Sequence, residues 1–258
     1  MYWGTKSGQR AWNRLALLLL TSRLIGFRFR FINTPSNSRT VAKTEDELKK
    51  YTLDPNLGQV DRLLKLLQGN DAQKCVACSS LFLVEDESAI LSIIQALSAA
   101  QVHAAENRQV ALDMGIGVIS MIKTIKSMTK TIKDKLSALI LAGIDSMNGQ
   151  YWGMAMAALL ERLTYTEVKS KINDITSRST MTTSEVGRTA ITLTLGTLMV
   201  SLEGKTEQND ILQLTKELSN DVCLDVRQAA SSQMDTIVHS LNKSNIPGIG
   251  HWALNRLE

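Results

Sequence analysis

Apolar side chains recur at three- and four-residue spacing through most of the chain, the period of a helix that turns one face inward. Leu63, Leu64, Leu66 and Leu67 make the first stripe, stopped by Gly69-Asn70-Asp71, with Asp71 placed to cap the helix that follows. Ala72, Cys75, Val76, Ser79 and Phe82 carry the period on. Further helices are predicted over 88–100, 110–125, 132–147, 154–163, 166–175, 186–202, 211–218 and 222–241, with breaks at 148–149, 177–184, Gly204 and Asn220-Asp221. The prolines, Pro35, Pro55 and Pro247, lie toward the two ends, so none interrupts the span 57–241. The run 191–202, broken only by Gly196, is expected to be one fully buried helix, too short to cross a bilayer. Roughly ten helices joined by short loops predict an all-α fold.

Asp221-Val222-Cys223-Leu224-Asp225-Val226-Arg227-Gln228-Ala229-Ala230 leads an acidic turn into Val-Arg and paired alanines, with Met234, Ile237 and Val238 completing the stripe. This resembles the second helix of a HEAT repeat. Leu57-Gly58-Gln59-Val60 with its leucines, then Asn70-Asp71 and a second helix, resembles an armadillo repeat boundary, as does Asn107-Arg108 ahead of Gly115-Ile116-Gly117-Val118-Ile119. The resemblance covers about a third of the chain and implies a right-handed α-α superhelix of stacked helix pairs. It further implies a non-enzymatic scaffold that presents a surface to protein partners. Residues 164–183 depart from the pattern; their polarity predicts an exposed connection or a degenerate unit.

Charge divides the chain differently. Lys6, Arg10, Arg14, Arg23, Arg28, Arg30, Arg39 and Lys43 precede the first carboxylate, Glu45. With those eight removed, 21 cations face 25 carboxylates, so a chain of formal charge +4 has a body of −4. An acidic body argues against nucleic-acid binding, and so against an organellar RNA-binding repeat protein, because phosphate contacts need cations on the folded part. In the leader, Arg10, Arg14 and Arg28 share one helical face, with Leu15 to Leu20 supplying apolar surface and Phe29-Arg30-Phe31 a processing region. Arg-rich, hydroxyl-bearing and acid-free, it resembles a mitochondrial transit peptide with Arg10, Arg14, Arg28 and Arg30 as targeting residues. A secretory signal is opposed by Arg23, which cuts its apolar core short, and a membrane anchor by length; an untargeted basic tail is the remaining alternative, with a cytoplasmic address. The domains expected are a leader over 1–44, a helical repeat domain over 45–243 and a tail or cap over 244–258.

Candidate chemistry is sparse. Cys75 and Cys78 have C-x-x-C spacing but lie inside a helical pattern, where small soft residues suit close packing. Cys223, His103, His239 and His251 are isolated, so no zinc site or other cofactor is expected. Gly204-Lys205-Thr206 lacks the earlier glycine of a phosphate loop, and Gly115-Ile116-Gly117 lacks the third glycine of a dinucleotide fingerprint; both read as turn or packing glycines. The alternative of a helical enzyme would rest on Glu161 and Glu167 near Tyr165 converging in a deep pocket. Met154 and Met156, beside Met147, offer an adaptable contact patch, though the spacing suits core as well. Lys123, Lys126, Lys130 and Lys133, followed by Lys135, form a basic stripe suited to an acidic partner or a peripheral membrane contact, or simply a solvated face.

Overall fold

The computed structural model describes residues 58–243 apart from 85, 105–106, 145, 147–148 and 181–183. Arg10, Arg14, Arg28 and Arg30 of the leader, and the tail from 244, lie outside the described residues. Among the described residues eleven α-helices follow one another: α1 (Gln59–Leu67), α2 (Asp71–Cys78), α3 (Glu87–Ala104), α4 (Arg108–Thr124), α5 (Lys130–Ile144), α6 (Gly149–Leu160), α7 (Tyr165–Thr176), α8 (Glu185–Thr192), α9 (Leu195–Ser201), α10 (Glu207–Leu218) and α11 (Leu224–Lys243). Short 3-10 turns stand at Leu81–Leu83 and Ser177–Ser179, and no strand occurs among the described residues. The fold class is all-α.

Local chemistry fixes the starts. Asn70, not Asp71, caps α2: its side chain accepts from the Gln73 amide at 3.0 Å, while Gln73 reaches back to the Asn70 amide at 2.9 Å. Asp71 instead stands at the first helical position, where its charge suits the positive end of the dipole. Asn107 caps α4 through the amides of Gln109 and Val110, and Ser184 caps α8 through Gly187. At the far end of the molecule, α11 begins at Leu224, two residues later than the stripe from Val222 suggests, because Asp221 closes a turn on the Cys223 amide first.

Two sequence expectations are overturned. The single helix over 186–202 is two helices, α8 and α9, parted at Leu193-Thr194. Thr192 and Thr194 each turn a hydroxyl back onto a main-chain carbonyl, of Arg188 and Ile191, both at 2.7 Å, and the Thr194 amide closes a three-residue turn on Ile191. Such back-bonding bends helices, and here it accompanies the break. Nor is the run 191–202 buried throughout, since Val200 is 48 % exposed. Within 164–183 the helix expected over 166–175 is present as α7, built on a Thr164–Glu167 capping box; it buries Val168 and Ile175 completely, so the segment is not merely an exposed connection.

The helices pack in two layers. Leading helices α1, α3 and α5 touch in turn, and the series continues to α7 and α10 through ion pairs. Trailing helices α2, α4, α6, α8 and α11 touch in the same way, with α9 inserted between α8 and α11. Between the layers runs a core of Leu, Ile, Val, Met and Ala, with Trp152 its largest fully buried side chain.

Glycines set the closeness of the trailing layer. A Cβ on Gly117 would lie 2.5 Å from the Cys78 carbonyl oxygen, one on Gly115 2.7 Å from the Tyr151 Cβ, and one on Gly153 2.2 Å from the Ala190 carbonyl oxygen. Gly115 and Gly117 are therefore mid-helix packing residues. Gly153→Ala gains about 1 kcal/mol of helix propensity but forces α6 from α8 against backbone, where overpacking costs about 1–3 kcal/mol or more. A net loss of stability, read as a lower urea midpoint, is expected; a higher midpoint would mean the two helices are free to separate.

Candidate interaction surface

Each trailing helix leaves a narrow stripe uncovered. On α2 it includes Cys75 and Ser79, on α4 Leu112, Asp113, Ile116, Ser120 and Lys123, on α6 Tyr151, Met154 and Ala157, and on α8 Val186 and Thr189. Three- to four-residue spacing places each set on one side of its helix. Ile116 and Met154 are large apolar side chains 40 % and 42 % exposed, each close in sequence to the Gly115–Tyr151 crossing of α4 and α6. Asp113 is the carboxylate amid these positions, and burial pushes its carboxyl above the ordinary value while Cys75 and Gln109 bond to it. The combination is apolar and sparsely charged, as at the centres of protein interfaces.

The expected methionine patch is therefore reduced to Met154: Met156 is fully buried, and Met147 lies outside the described residues. Helical spacing alone does not separate these two, because which methionine faces solvent depends on where α4 and α8 lie against α6. Ile116 was no candidate from sequence. Its signal is that Leu112, Ile116, Ser120 and Lys123 align on a helix whose other sides are almost wholly apolar.

The cysteines pack as their size suggests. Cys78 is buried against the α4 backbone at Gly117, and Cys75 lies partly exposed beside Asp113. Burial, then the neighbouring Asp113, pushes the Cys75 thiol up to about 12, and burial raises Cys78 as well. Both stay protonated and unreactive at neutral pH. Among the described residues no group of three His, Cys, Asp or Glu could hold a metal ion.

Of the carboxylates proposed for acid/base work, one is exposed and the other is held in structural bonds. Glu161 is exposed after α6. Glu167 accepts from the Thr164 amide at 2.8 Å and from Lys133 at 2.9 Å through both oxygens; the amide first, then the lysine, hold its carboxyl down at about 2. Tyr165 turns away from both, donating to Glu207 at 3.1 Å. Lys169 also meets Glu207, at 2.6 Å, and holds its carboxyl at about 2, while Lys205 stands 4.9 Å over the Tyr165 ring. Carboxylates held this low remain ionised at neutral pH, which suits structural bridges between α5, α7 and α10. A shallow groove between α3 and α5, bordered by Leu91, Ser92, Gln95, Ser98, Lys135 and Ala138, contains no acid or imidazole.

The lysine series is divided by the fold. α4 ends at Thr124 and α5 begins at Lys130, so Lys123, Lys126 and Lys130 surround a turn while Lys133 lies on α5, bound to Glu167. Asp134, the carboxylate within the series, is bound to Lys171 at 2.9 Å. Lys123, Lys126, Lys130 and Lys135 are exposed. No described helix is long and apolar enough to cross a membrane.

No protein-family model, curated protein or solved structure matches this chain.

Proposed function

We propose that residues 58–243 are five stacked helix pairs of armadillo or HEAT type, wound as a right-handed α-α superhelix, and that the protein is a non-enzymatic scaffold for protein partners. The observation that carries this is a recurring sequence interval. Side-chain hydrogen bonds between helices not adjacent in sequence, or the turns at their ends, span 33 to 42 positions: Asp71 to Asn107, Glu87 to Thr129, Leu139 to Gln101, Ile125 to Arg162, Asp134 to Lys171, Tyr165 to Glu207, Arg188 to Asp221 and Met199 to Ser240. Repeats of this class have periods of about 40 residues, and each unit covers the apolar face of the one before. The divided α8–α9 occupies the place of one trailing helix, so the pairs are α1–α2, α3–α4, α5–α6, α7 with α8–α9, and α10–α11.

Further support comes from the HEAT-like segment. Val226, Ala229 and Ala230 are buried, and Arg227 donates to the Asp221 and Val222 carbonyls at 2.7 and 2.9 Å, closing the turn that introduces α11. The partner's place is the trailing stripe around Ile116 and Met154, and the address is mitochondrial through the leader over 1–44. Nucleic acid is disfavoured by the acidic body.

One cellular experiment tests address and surface together: proximity labelling with the full chain, with I116R/M154R, and with residues 1–44 removed. The full chain is expected to label mitochondrial proteins, the double variant to lose a defined subset at unchanged thermal stability, and the shortened chain to label cytosolic ones. Identical labelling by the full chain and the double variant would remove the stripe as the interface; mitochondrial labelling without residues 1–44 would remove the leader as the address.

A further inference from the structure

Within the apolar stripe of α2, α4 and α6, Asp113 carries a charge that the chain itself does not balance. It stands one turn of α4 before Ile116, about 4.5 Å along the axis, and is partly buried. Its hydrogen bonds come from neutral groups: the Gln109 amide donates to Oδ1 at 3.0 Å, and the Cys75 thiol donates from α2. Lys74, the cation of α2, is turned to Asp71 at 3.5 Å, and α6 contains no charged residue. Among the described residues no lysine or arginine forms an ion pair with Asp113. Where the fold withdraws other carboxylates from water, at Glu167, Glu207 and Asp221, it brings Lys133, Lys169 and Arg188 to them. At Asp113 burial outweighs the two neutral bonds, and the carboxyl is raised. A carboxylate has about four lone-pair positions, so two bonds leave acceptor room for a cation from outside.

We infer that the partner seated on this stripe is a protein segment with a lysine or arginine beside its apolar anchor, the anchor meeting Ile116 and Met154 and the cation meeting Asp113. The inference rests on the scaffold reading above and specifies the chemistry of its partner. Charge complementarity selects the cation: any segment that covers Ile116 takes further water from Asp113, and that cost is offset only if a positive group arrives with it. Nucleic acid and anionic lipid would bring phosphate against the carboxylate, and a small cation lacks the apolar body that Ile116 and Met154 call for. The same complementarity orients the segment. Lys123 lies ten residues beyond Asp113, about 15 Å along α4, so the segment's cation points toward the start of α4 and away from Lys123.

The test is selection of a displayed library of random peptides on the full chain. Enriched peptides are expected to carry Lys or Arg within one helical turn of Leu, Ile, Phe or Met. Synthetic copies are expected to bind D113N about tenfold more weakly than wild type, as for loss of a hydrogen bond to a charged group, and D113K not at all. Replacing the peptide's cation by Gln is expected to cost as much in the wild-type chain as D113N does, and nothing further in D113N. D113N keeps the side-chain shape and the acceptor for Gln109, so its thermal midpoint is expected to equal or exceed that of wild type; a midpoint several degrees lower would mean that the charge is balanced within the chain and would overturn the inference. Enriched apolar peptides without a cation, or equal binding to wild type and D113N, with binding lost in I116R/M154R, would overturn the cationic partner and leave the scaffold standing. Enrichment unchanged in I116R/M154R, or none on the wild-type chain, would remove the scaffold interface itself. A dimer in sedimentation velocity that I116R/M154R dissociates would assign the stripe to a second copy of this chain and overturn the inference.

Discussion

Arg188→Ala is expected to destabilise the protein by about 3–5 kcal/mol, the cost of leaving a buried charge without its partner. Arg188 on α8 clasps Asp221 with two bonds, Nε to Oδ2 at 2.8 Å and a terminal nitrogen to Oδ1 at 3.0 Å. The two side chains are only 7 % and 1 % exposed. The same carboxylate accepts from the Cys223 amide at 2.8 Å, so the ion pair also holds the turn into α11. Burial works to raise the Asp221 carboxyl, yet Arg188 and the Cys223 amide together hold it below its ordinary value of 3.8. A carboxyl lowered by folding contributes stability that is complete above its unfolded pKa and disappears as pH falls through the folded one. The urea midpoints of wild type and variant are therefore expected to converge as pH falls below 3.8, where protonation of Asp221 removes the contribution of its pairing with Arg188. A constant gap would mean that Asp221 does not sense Arg188.

Trp152→Ala is expected to cost about 3–5 kcal/mol, through lost burial and the cavity left behind. Trp152 is 1 % exposed, on α6, with its ring flush against Gly143 of α5. A Cβ on Gly143 would lie 2.3 Å from the indole, so Gly143→Ala in the wild-type chain is expected to lose about 1–3 kcal/mol to overpacking. In the Trp152→Ala chain the indole is gone and only the Gln101 amide nitrogen, 2.6 Å from that Cβ, still crowds it, so the same change is expected to cost less than in the wild-type chain. The double-mutant cycle thus predicts a double variant less destabilised than the sum of the two single changes. Additive effects would show that Gly143 and Trp152 do not share a contact. Gln101 of α3 lies at the same junction, donating to the Leu139 carbonyl at 3.2 Å, so three helices are affected by one indole.

Helices were legible in the sequence because their evidence is local. Leu63, Leu66 and Leu67 announce α1, and Leu136, Leu139 and Ile140 announce the core face of α5, by spacing alone. The division at Thr192-Leu193-Thr194 was not, because each threonine tolerates a helix and no glycine or proline marks the break. In the polar segment over 164–183 the helix over 166–175 was legible but its packing was not: Lys169, Lys171 and Glu167 look solvated until Glu207, Asp134 and Lys133 are brought to them from 34 to 38 residues away. The candidate surface was half legible. Met154 and Lys123 could be proposed from residue type, but the exposure of Ile116 and the burial of Met156 and Arg188 are properties of the neighbouring helices.

In the stack of pairs proposed above, the interval of 33 to 42 residues between tied helices has a dynamic corollary. No described bond fastens the first proposed pair to the last, so cooperativity is expected to pass from neighbour to neighbour, as in a zipper. Opening is then expected to start by fraying at a terminal pair, which has one flank to lose, and the amides slowest to exchange with solvent are expected in α4, α5 and α6.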